Sequence, residues 1–332
     1  MAVSGAGPSF VTAETVDRVL NWDSIITQLA QAYGAEQGKL AVPPRVVARG
    51  KGVWLRALTA IPAGSRYMGT KVFGFSPDRT VNYVITLFEQ KTGLVAAFVD
   101  GNYVTARRTA GTSAVAVDRL APPGAASVAI LGSGAEARAH LEAMAAVRPI
   151  DSVKVFSPTA ARREEFAATY AKKLGVKVTP VAAPQQAVDG ASLVVAAARS
   201  SDESPILLGS WLRPDAVVVS IGSTLPEQRE IDVSVVDVCD LIVCDAVEEV
   251  CDETGDMIAA KKAGIQFEHK LAPLTALVSG QIAQSRTSAG RRMFKSVGTA
   301  LQDIVVAGLA FDRAREQGLD LRLPAEFYLK RA

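Results

Sequence analysis

The stretch Ser127-Val128-Ala129-Ile130-Leu131-Gly132-Ser133-Gly134-Ala135-Glu136-Ala137-Arg138 decides the fold. Its first five residues are apolar or small and strand-forming, and an amphipathic helical pattern leaves it over Glu136–Val147. Between them stands Gly132-x-Gly134-x-x-Ala137. A glycine pattern alone is weak in a chain with 26 glycines, but a strand feeding it and a helix leaving it are what a dinucleotide needs. Gly132 permits a tight turn, Gly134 lets backbone approach a pyrophosphate, and Ala137 permits close helix–strand packing. The helix start offers N–H groups to the anion. The competing explanation is a tight strand-to-helix connection that binds nothing.

Downstream the rhythm is alternating: strand Ser152–Phe156, helix Ala160–Leu174, then strands at Val176–Pro180, Leu193–Ala197, Ala216–Ile221 and Leu241–Cys244. Apolar strands alternating with helices predict an α/β fold, a doubly wound parallel sheet of the Rossmann type. Arg291–Gln317 reads as one long helix, with Phe294, Val297, Ala300, Leu301, Ile304, Val305 and Leu309 on one side. Upstream, Val11–Gly38 carries a helical pattern. Val53–Leu58, Arg66–Phe73, Val81–Phe88 and Leu94–Asp100 then read as strands of an antiparallel or mixed sheet. Thr105–Leu120 is helical and runs into Ala121-Pro122-Pro123-Gly124, the clearest linker. The expected domains are 1–124 with 303–332 for substrate and dimerisation, an α+β part, and 125–302 for the dinucleotide.

The chain's 332 residues, 49% hydrophobic and 21% charged, suit about two domains with a large core, which rules out disorder over most of the length. Lys and Arg total 36 against 34 Asp and Glu. That balance leaves no footprint for nucleic acid or an anionic membrane surface. Met1–Phe10 has no basic leader pattern, and the longest apolar runs are strand-sized, so a soluble cytoplasmic protein with no membrane partner is expected. Cys239, Cys244 and Cys251 are odd in number and wrongly spaced for a metal clip; with His140 and His269 far apart in sequence, no metal site is expected.

Cofactor choice turns on the end of the second strand. An acid about 20 residues past the glycine loop would bind a ribose 2′-hydroxyl and repel a 2′-phosphate. Ser157 stands there, followed by Pro158, Thr159, Ala160, Ala161, Arg162 and Arg163, with no acid until Glu164. Hydroxyls at Ser157 and Thr159, with Arg162 or Arg163 near a helix start, favour NADP(H) over NAD(H).

The first domain concentrates fixed positive charge: Arg45 after Pro43-Pro44, Lys71 inside an apolar strand, and Arg108 heading a helix of Ala, Ser and Val. Charges so placed need partners; converging, they would clamp a carboxylate. The sequence here resembles the ornithine cyclodeaminase and mu-crystallin family over nearly its whole length. Pro44-Arg45, Gly69-x-Lys71-Val72, Arg108-Thr109-Ala110-Gly111-Thr112-Ser113 and the Gly132–Ala137 loop carry the resemblance. So do Ile221-Gly222 with Pro226 and Glu230-Ile231-Asp232, Glu253-Thr254-Gly255-Asp256, and Phe294-Lys295-Ser296-Val297-Gly298-Thr299-Ala300-Leu301-Gln302-Asp303.

The resemblance implies a homodimer in which the N-terminal domain, completed by the C-terminal helix, supplies the interface and half of the substrate site. It implies that Arg45, Lys71 and Arg108 hold the substrate carboxylate, Lys71 and Arg108 being catalytic. Cofactor contacts would come from Gly132, Ser133, Gly134, Ala135, Glu136, Ala137, Ser157, Thr159, Arg162, Ala198, Ile221, Gly222, Ser296 and Gly298. Asp303 would be a structural or site-edge residue.

Two departures bear on the reaction. Family members that cyclise ornithine place an aspartate two residues after the glycine matching Gly222. Thr224 stands there, and a hydroxyl is no carboxylate base near neutral pH. They also carry a glutamate near the position of Arg56. The resemblance therefore implies hydride reduction of the C=N bond of a small α-imino acid, with Thr224 in the substrate site. Arg45 and Arg108 would lower the pKa of Lys71, which would bind the carboxylate and tune the imine nitrogen. The alternatives are a cyclodeaminase or amino-acid dehydrogenase, and a crystallin-like protein that holds NADPH without turnover.

Overall fold

Strand-forming residues broken by turns make up most of the stretch from Val46 to Asp100, and the chain folds accordingly there. The computed structural model describes residues 7–78, 80–324 and 327. Residues 1–6 of the opening stretch and the last residues of the segment assigned to the first domain lie outside it. The chain divides into two units, Met1–Arg108 with Thr299–Ala332, and Thr109–Gly298.

The first unit begins with β1 (Ser9–Val11), α1 (Ala13–Val19) and α2 (Trp22–Gly34). The expected single helical region over 11–38 is two helices, because Leu20 is extended and Asn21 caps α2 by accepting from Ser24 N at 3.0 Å. An Asx side chain at that position favours a fresh helix start over continuation. Next come β2 (Val46–Gly50), β3 (Val53–Ala60), β4 (Tyr67–Phe75), β5 (Val81–Glu89) and β6 (Val95–Asp100), a meander of antiparallel neighbours. Leu58, Lys71 and Ile85 lie opposite one another across three strands, as do Arg56, Phe73 and Tyr83. The strand period of two places all six on one face. The other face leaves Val46, Val53, Leu55 and Val84 between 39% and 69% exposed.

Helix α3 (Gly101–Leu120) leads into the second unit and β7 (Ala126–Leu131), α4 (Ala135–Val147), β8 (Ile150–Phe156), α5 (Ala160–Leu174), β9 (Lys177–Val181), α6 (Pro184–Val188), β10 (Leu193–Ala196), β11 (Val217–Ser220), α7 (Val233–Val238), β12 (Leu241–Cys244), α8 (Val247–Glu253), α9 (Gly255–Lys262), β13 (Leu271–Pro273), α10 (Leu274–Val278), α11 (Gln284–Ser288) and β14 (Arg292–Lys295). Among the described residues the sheet order is β13-β12-β14-β11-β10-β7-β8-β9, every pair parallel. This is the doubly wound α/β architecture expected from the alternation. Strands β10, β11, β12 and β14 are buried throughout, as a sheet covered on both faces requires. Arg148 donates to the carbonyls of Pro122 (2.6 Å) and Ala121 (3.3 Å), which ties the Pro-Pro-Gly segment into this unit.

The long helix expected over 291–317 is corrected. Arg292–Lys295 is a central strand between β11 and β12, and Gly298 has φ +80°. The helix α12 (Ala300–Glu316) starts only afterwards. Phe294 and Val297 mimic helical spacing, but burial of Met293 and Phe294 within the sheet wins. Back in the first unit, α12 lies on β4. A Cβ on Gly69 would collide with Thr86 O and reach 2.9 Å from Ile304 Cδ1, and one on Gly308 would meet Tyr67 Cδ2 at 2.9 Å. The strand β15 (Leu321–Arg322) closes the first sheet against β1. Among the described residues no helix is long and apolar enough to cross a membrane.

Candidate functional site

Two assemblies of polar residues stand out, one in each unit. In the first unit, β4 presents Lys71, 2% exposed, and α3 presents Arg108, 8% exposed. The first turn of α12 presents Asp303, which is fully buried. Asp303 Oδ1 accepts from Lys71 Nζ at 2.8 Å and from Arg108 Nε at 3.0 Å. Arg108 Nη1 donates to Gln302 Oε1 (2.8 Å), and Gln302 Nε2 donates to Tyr33 Oη (2.7 Å). Phe73 and Tyr83, stacked with centroids 5.0 Å apart, lie 5.3 and 5.6 Å from Lys71 Nζ. Arg56, also buried on this face, lies over Trp54 at 5.1 Å.

Burial pulls the Lys71 ammonium down to about 8. The Asp303 carboxylate opposes that shift, and Arg108 and Arg45 add to it. The expectation that the arginines would lower Lys71 holds in direction, but desolvation is the larger cause. Arg45, half-buried just before β2, lies near enough to act on Lys71.

In the second unit, Gly132 has φ +121°, and a Cβ there would stand 2.8 Å from Ala197 O. Glycine is therefore required at this turn. A Cβ on Gly134 would meet no described atom within 4 Å, so the loop's outer side is open for a ligand's approach. Gly134 is the N-cap of α4, no described side chain caps that helix, and Ala137 is fully buried beneath it. These observations fit a pyrophosphate at the helix start. Ser133 and Ala135 flank Gly134, and the Ser133 carbonyl accepts from Arg138 Nε at 3.3 Å. Glu136 points differently: its carboxylate lies 3.8 Å from the buried His140, which also shares a hydrogen bond with Ser113 Oγ at 3.0 Å.

Ser157 is buried just past β8, and Thr159 is exposed at the N-cap of α5. Arg163 Nη1 donates to the Ser157 carbonyl at 3.0 Å, whereas Arg162 is exposed. Of the two arginines, Arg162 is the one whose side chain faces solvent beside Thr159.

The remaining residues named from the sequence sit on loops at the carboxyl ends of parallel strands, where such sheets bind ligands. Ala198 N donates to Glu230 Oε1, while Ile221 N and Gly222 N donate to Glu230 Oε2. The Ser296 hydroxyl is taken by Asp245 Oδ2 at 2.6 Å, and that oxygen also accepts Gly298 N at 2.8 Å. Ser296 thus fixes its own loop. Thr224 donates through both N (2.9 Å) and Oγ1 (3.2 Å) to Gln228 Oε1.

Sequence reading missed Glu230 and Asp245 as loop anchors, and gave Asp303 only as a structural or site-edge residue without its partners Lys71 and Arg108. An acid directly after a buried strand, as Asp245 follows β12, was a usable signal. Another was the polar pair Gln302-Asp303 opening an apolar helix. Cys239 and Cys244 are buried, Cys251 is half-buried, and all three are free thiols.

The second unit thus carries a glycine turn opening onto a helix N-terminus, and the first buries a lysine and an arginine on one carboxylate. The family model of the ornithine cyclodeaminase/mu-crystallin family matches residues 8–318, and the chain belongs to that family. Among individual proteins it is similar to the ketimine reductase mu-crystallin of Macropus fuliginosus, 31% identical over 320 residues, 92% of this chain and 97% of that one. It is similar also to a Delta(1)-pyrroline-2-carboxylate reductase of Bacillus cereus, 27% identical over 292 residues, 88% of this chain and 86% of that one. Among solved structures, the Delta(1)-pyrroline-2-carboxylate reductase of Thermococcus litoralis in complex with NADH and L-proline superposes with TM-score 0.86. Its identity is 26%, and the match covers 95% of this chain and all of that one.

Proposed function

We propose that this protein is an oxidoreductase that reduces the C=N bond of a small α-imino acid to the L-amino acid with a reduced nicotinamide cofactor. Cyclic ketimine carboxylates such as pyrroline-2-carboxylate or piperideine-2-carboxylate are the substrate class. The observation that carries the proposal is the buried Lys71–Asp303–Arg108 cluster, with Asp303 Oδ1 shared at 2.8 and 3.0 Å. The similarity to pyrroline-2-carboxylate and ketimine reductases supports the same reaction.

The cofactor, when bound, supplies the hydride. The residues of the chain bind and orient. Arg45 and Arg108 hold the substrate carboxylate, since guanidinium groups match a carboxylate in two-point geometry. Lys71, titrating at about 8, is mostly protonated at neutral pH and so can hold a proton at Nζ for the imine nitrogen. Gly132, Gly134 and the start of α4 take the pyrophosphate. Ser157, Thr159 and Arg162 favour a 2′-phosphate, so NADP(H) is placed ahead of NAD(H), the competing cofactor that the Thermococcus litoralis protein holds as NADH. With Thr224 in place of an aspartate, and its hydroxyl engaged by Gln228, cyclodeamination lacks its base.

The exposed apolar face of β2, β3 and β5, with Leu55 52% and Val46 69% exposed, supports pairing with a second copy of this chain. Three free thiols suit a reducing, cytoplasmic setting.

The test is a panel. Pyrroline-2-carboxylate and piperideine-2-carboxylate are each incubated with NADPH and with NADH, following loss of reduced-cofactor absorbance and formation of proline or pipecolate. Ornithine with NAD⁺ is the contrasting arm. Ammonia release from ornithine without imine reduction would overturn the proposal.

A further inference from the structure

We infer that Glu230 is a positioning residue for the dinucleotide, a single carboxylate that sets the backbone of the loops following β10 and β11. This rests on the proposal that the second unit binds a reduced nicotinamide cofactor. Glu230 is fully buried. Its Oε1 accepts Ala198 N at 3.2 Å. Its Oε2 accepts Ser220 Oγ at 2.7 Å and both Ile221 N and Gly222 N at 3.0 Å. All four partners are donors, so the group works as an anion.

The loops it holds are tightly fitted. A Cβ on Gly222 would collide with Glu230 Oε1, and the neighbouring Gly132 turn packs within 2.8 Å of Ala197 O by the same measure. Displacing the carboxylate therefore displaces the floor beside the glycine turn. The carboxylate is itself held from behind. Glu230 N donates to Asp256 Oδ1 at 2.9 Å, and Lys295 Nζ donates to Asp256 Oδ2 and to Ser220 Oγ, both at 2.8 Å. Asp256 on α9 and Lys295 on β14 are both fully buried.

The charged groups facing Glu230 are thus Lys295 from β14 and Asp256 from α9. Arg229 precedes it in the chain and itself pairs with Asp256 at 3.3 Å. Arg199 Cγ approaches from the loop after β10, close to Gly222. Burial raises the Glu230 carboxyl to about 7; Lys295 and Ser220 oppose the rise, and Asp256 adds to it. Below that pH the carboxyl acquires a proton of its own, one of its four donors loses an acceptor, and the loops are less firmly set. The cofactor then binds the ionised form better, and affinity falls as pH falls.

The experiment measures Kd for NADH by fluorescence between about pH 6 and pH 8.5, with thermal melting recorded alongside. NADH is chosen because it lacks the 2′-phosphate, which itself titrates near pH ~6. In the wild type, Kd is expected to rise severalfold from pH 8 to pH 6. Glu230→Gln turns an NH₂ toward backbone N–H groups, so Kd at pH 8 should rise about tenfold, the size of one charge-assisted hydrogen bond, and the pH dependence should flatten. Glu230→Asp should restore the pH dependence in part. A Glu230→Gln protein that binds NADH within twofold of wild type, with the wild-type pH profile, would overturn the inference.

If that variant does not fold, Ser220→Ala serves. It removes one donor to the carboxylate, so the loss of affinity should begin at higher pH, and an unmoved profile overturns the inference. A wild type that binds neither NADH nor NADPH overturns the cofactor proposal as well, which separates the two failures.

Discussion

Replacing Asp303 with Asn tests the first-unit cluster most sharply, because one oxygen serves two buried cations. The amide keeps the volume and an acceptor but removes the charge. An opposite charge at this range shifts a partner's pKa by about 1–3 units. Lys71 titrates at about 8 with Asp303 opposing the burial penalty, so without that carboxylate it falls further. Taking the lower end, about one unit, Lys71 goes from about half protonated at pH 8 to about one-tenth, and kcat/KM for pyrroline-2-carboxylate should fall about fivefold there. Near pH 6 both proteins keep Lys71 charged, and the ratio should approach one.

The sign follows from the proposed role. A protonated Lys71 is needed, so activity is lost as pH rises through the folded-state pKa, and Asp303→Asn moves that loss to lower pH. Stability should also drop by about 3 kcal/mol, since two buried cations lose their shared counter-ion. The assay is a pH profile of kcat/KM at saturating reduced cofactor, with melting as a fold control. A uniform loss at all pH values, or an unmoved basic limb, would refute the reasoning.

Further outcomes can be checked in parallel. Ser157→Asp should move the NADPH-to-NADH ratio of kcat/KM about tenfold toward NADH, by repelling a 2′-phosphate and accepting from a 2′-hydroxyl; steady-state kinetics with both cofactors reads it. Gly132→Ala forces a side chain into φ +121° against Ala197 O, so melting should fall by the equivalent of about 1–3 kcal/mol and cofactor binding should weaken at least tenfold by fluorescence titration. Leu55→Glu puts a charge in the middle of the exposed sheet face, and light scattering after size-exclusion chromatography should report a monomer where the wild type reports a dimer.

Much of the cofactor unit was legible in the sequence because its signals are local. The glycine turn, the strand before it and the helix after it all fall between Ala126 and Val147, and φ +121° at Gly132 is the geometry that such a turn demands. Lys71 and Arg108 were legible as charges among apolar neighbours. Their shared partner was not, because Asp303 lies 232 residues from Lys71 and no local pattern couples them. Strand β14 was hidden because Phe294 inside it and Val297 beyond it continue the helical spacing of the apolar residues that follow. Nothing in Gly222-Ser223-Thr224 foretells that Gln228 bends back to accept from the N–H and hydroxyl of Thr224. Burial outweighing the arginines at Lys71 is likewise a property of the packed sheet face that a list of charges does not contain.

The first unit is discontinuous, with 190 residues of the second unit, Thr109–Gly298, inserted between its parts. A ribosome releases Lys71 and Arg108 long before it makes the helix that neutralises them. Until α12 seats its glycine against Tyr67, β4 carries a lysine facing an uncovered apolar surface. Folding of this unit therefore cannot finish during synthesis of its own first hundred residues, and it must close a loop as long as the whole second unit. The buried ion cluster thus reports on length: any product cut short before Ala300 leaves Lys71 and Arg108 without the carboxylate they share.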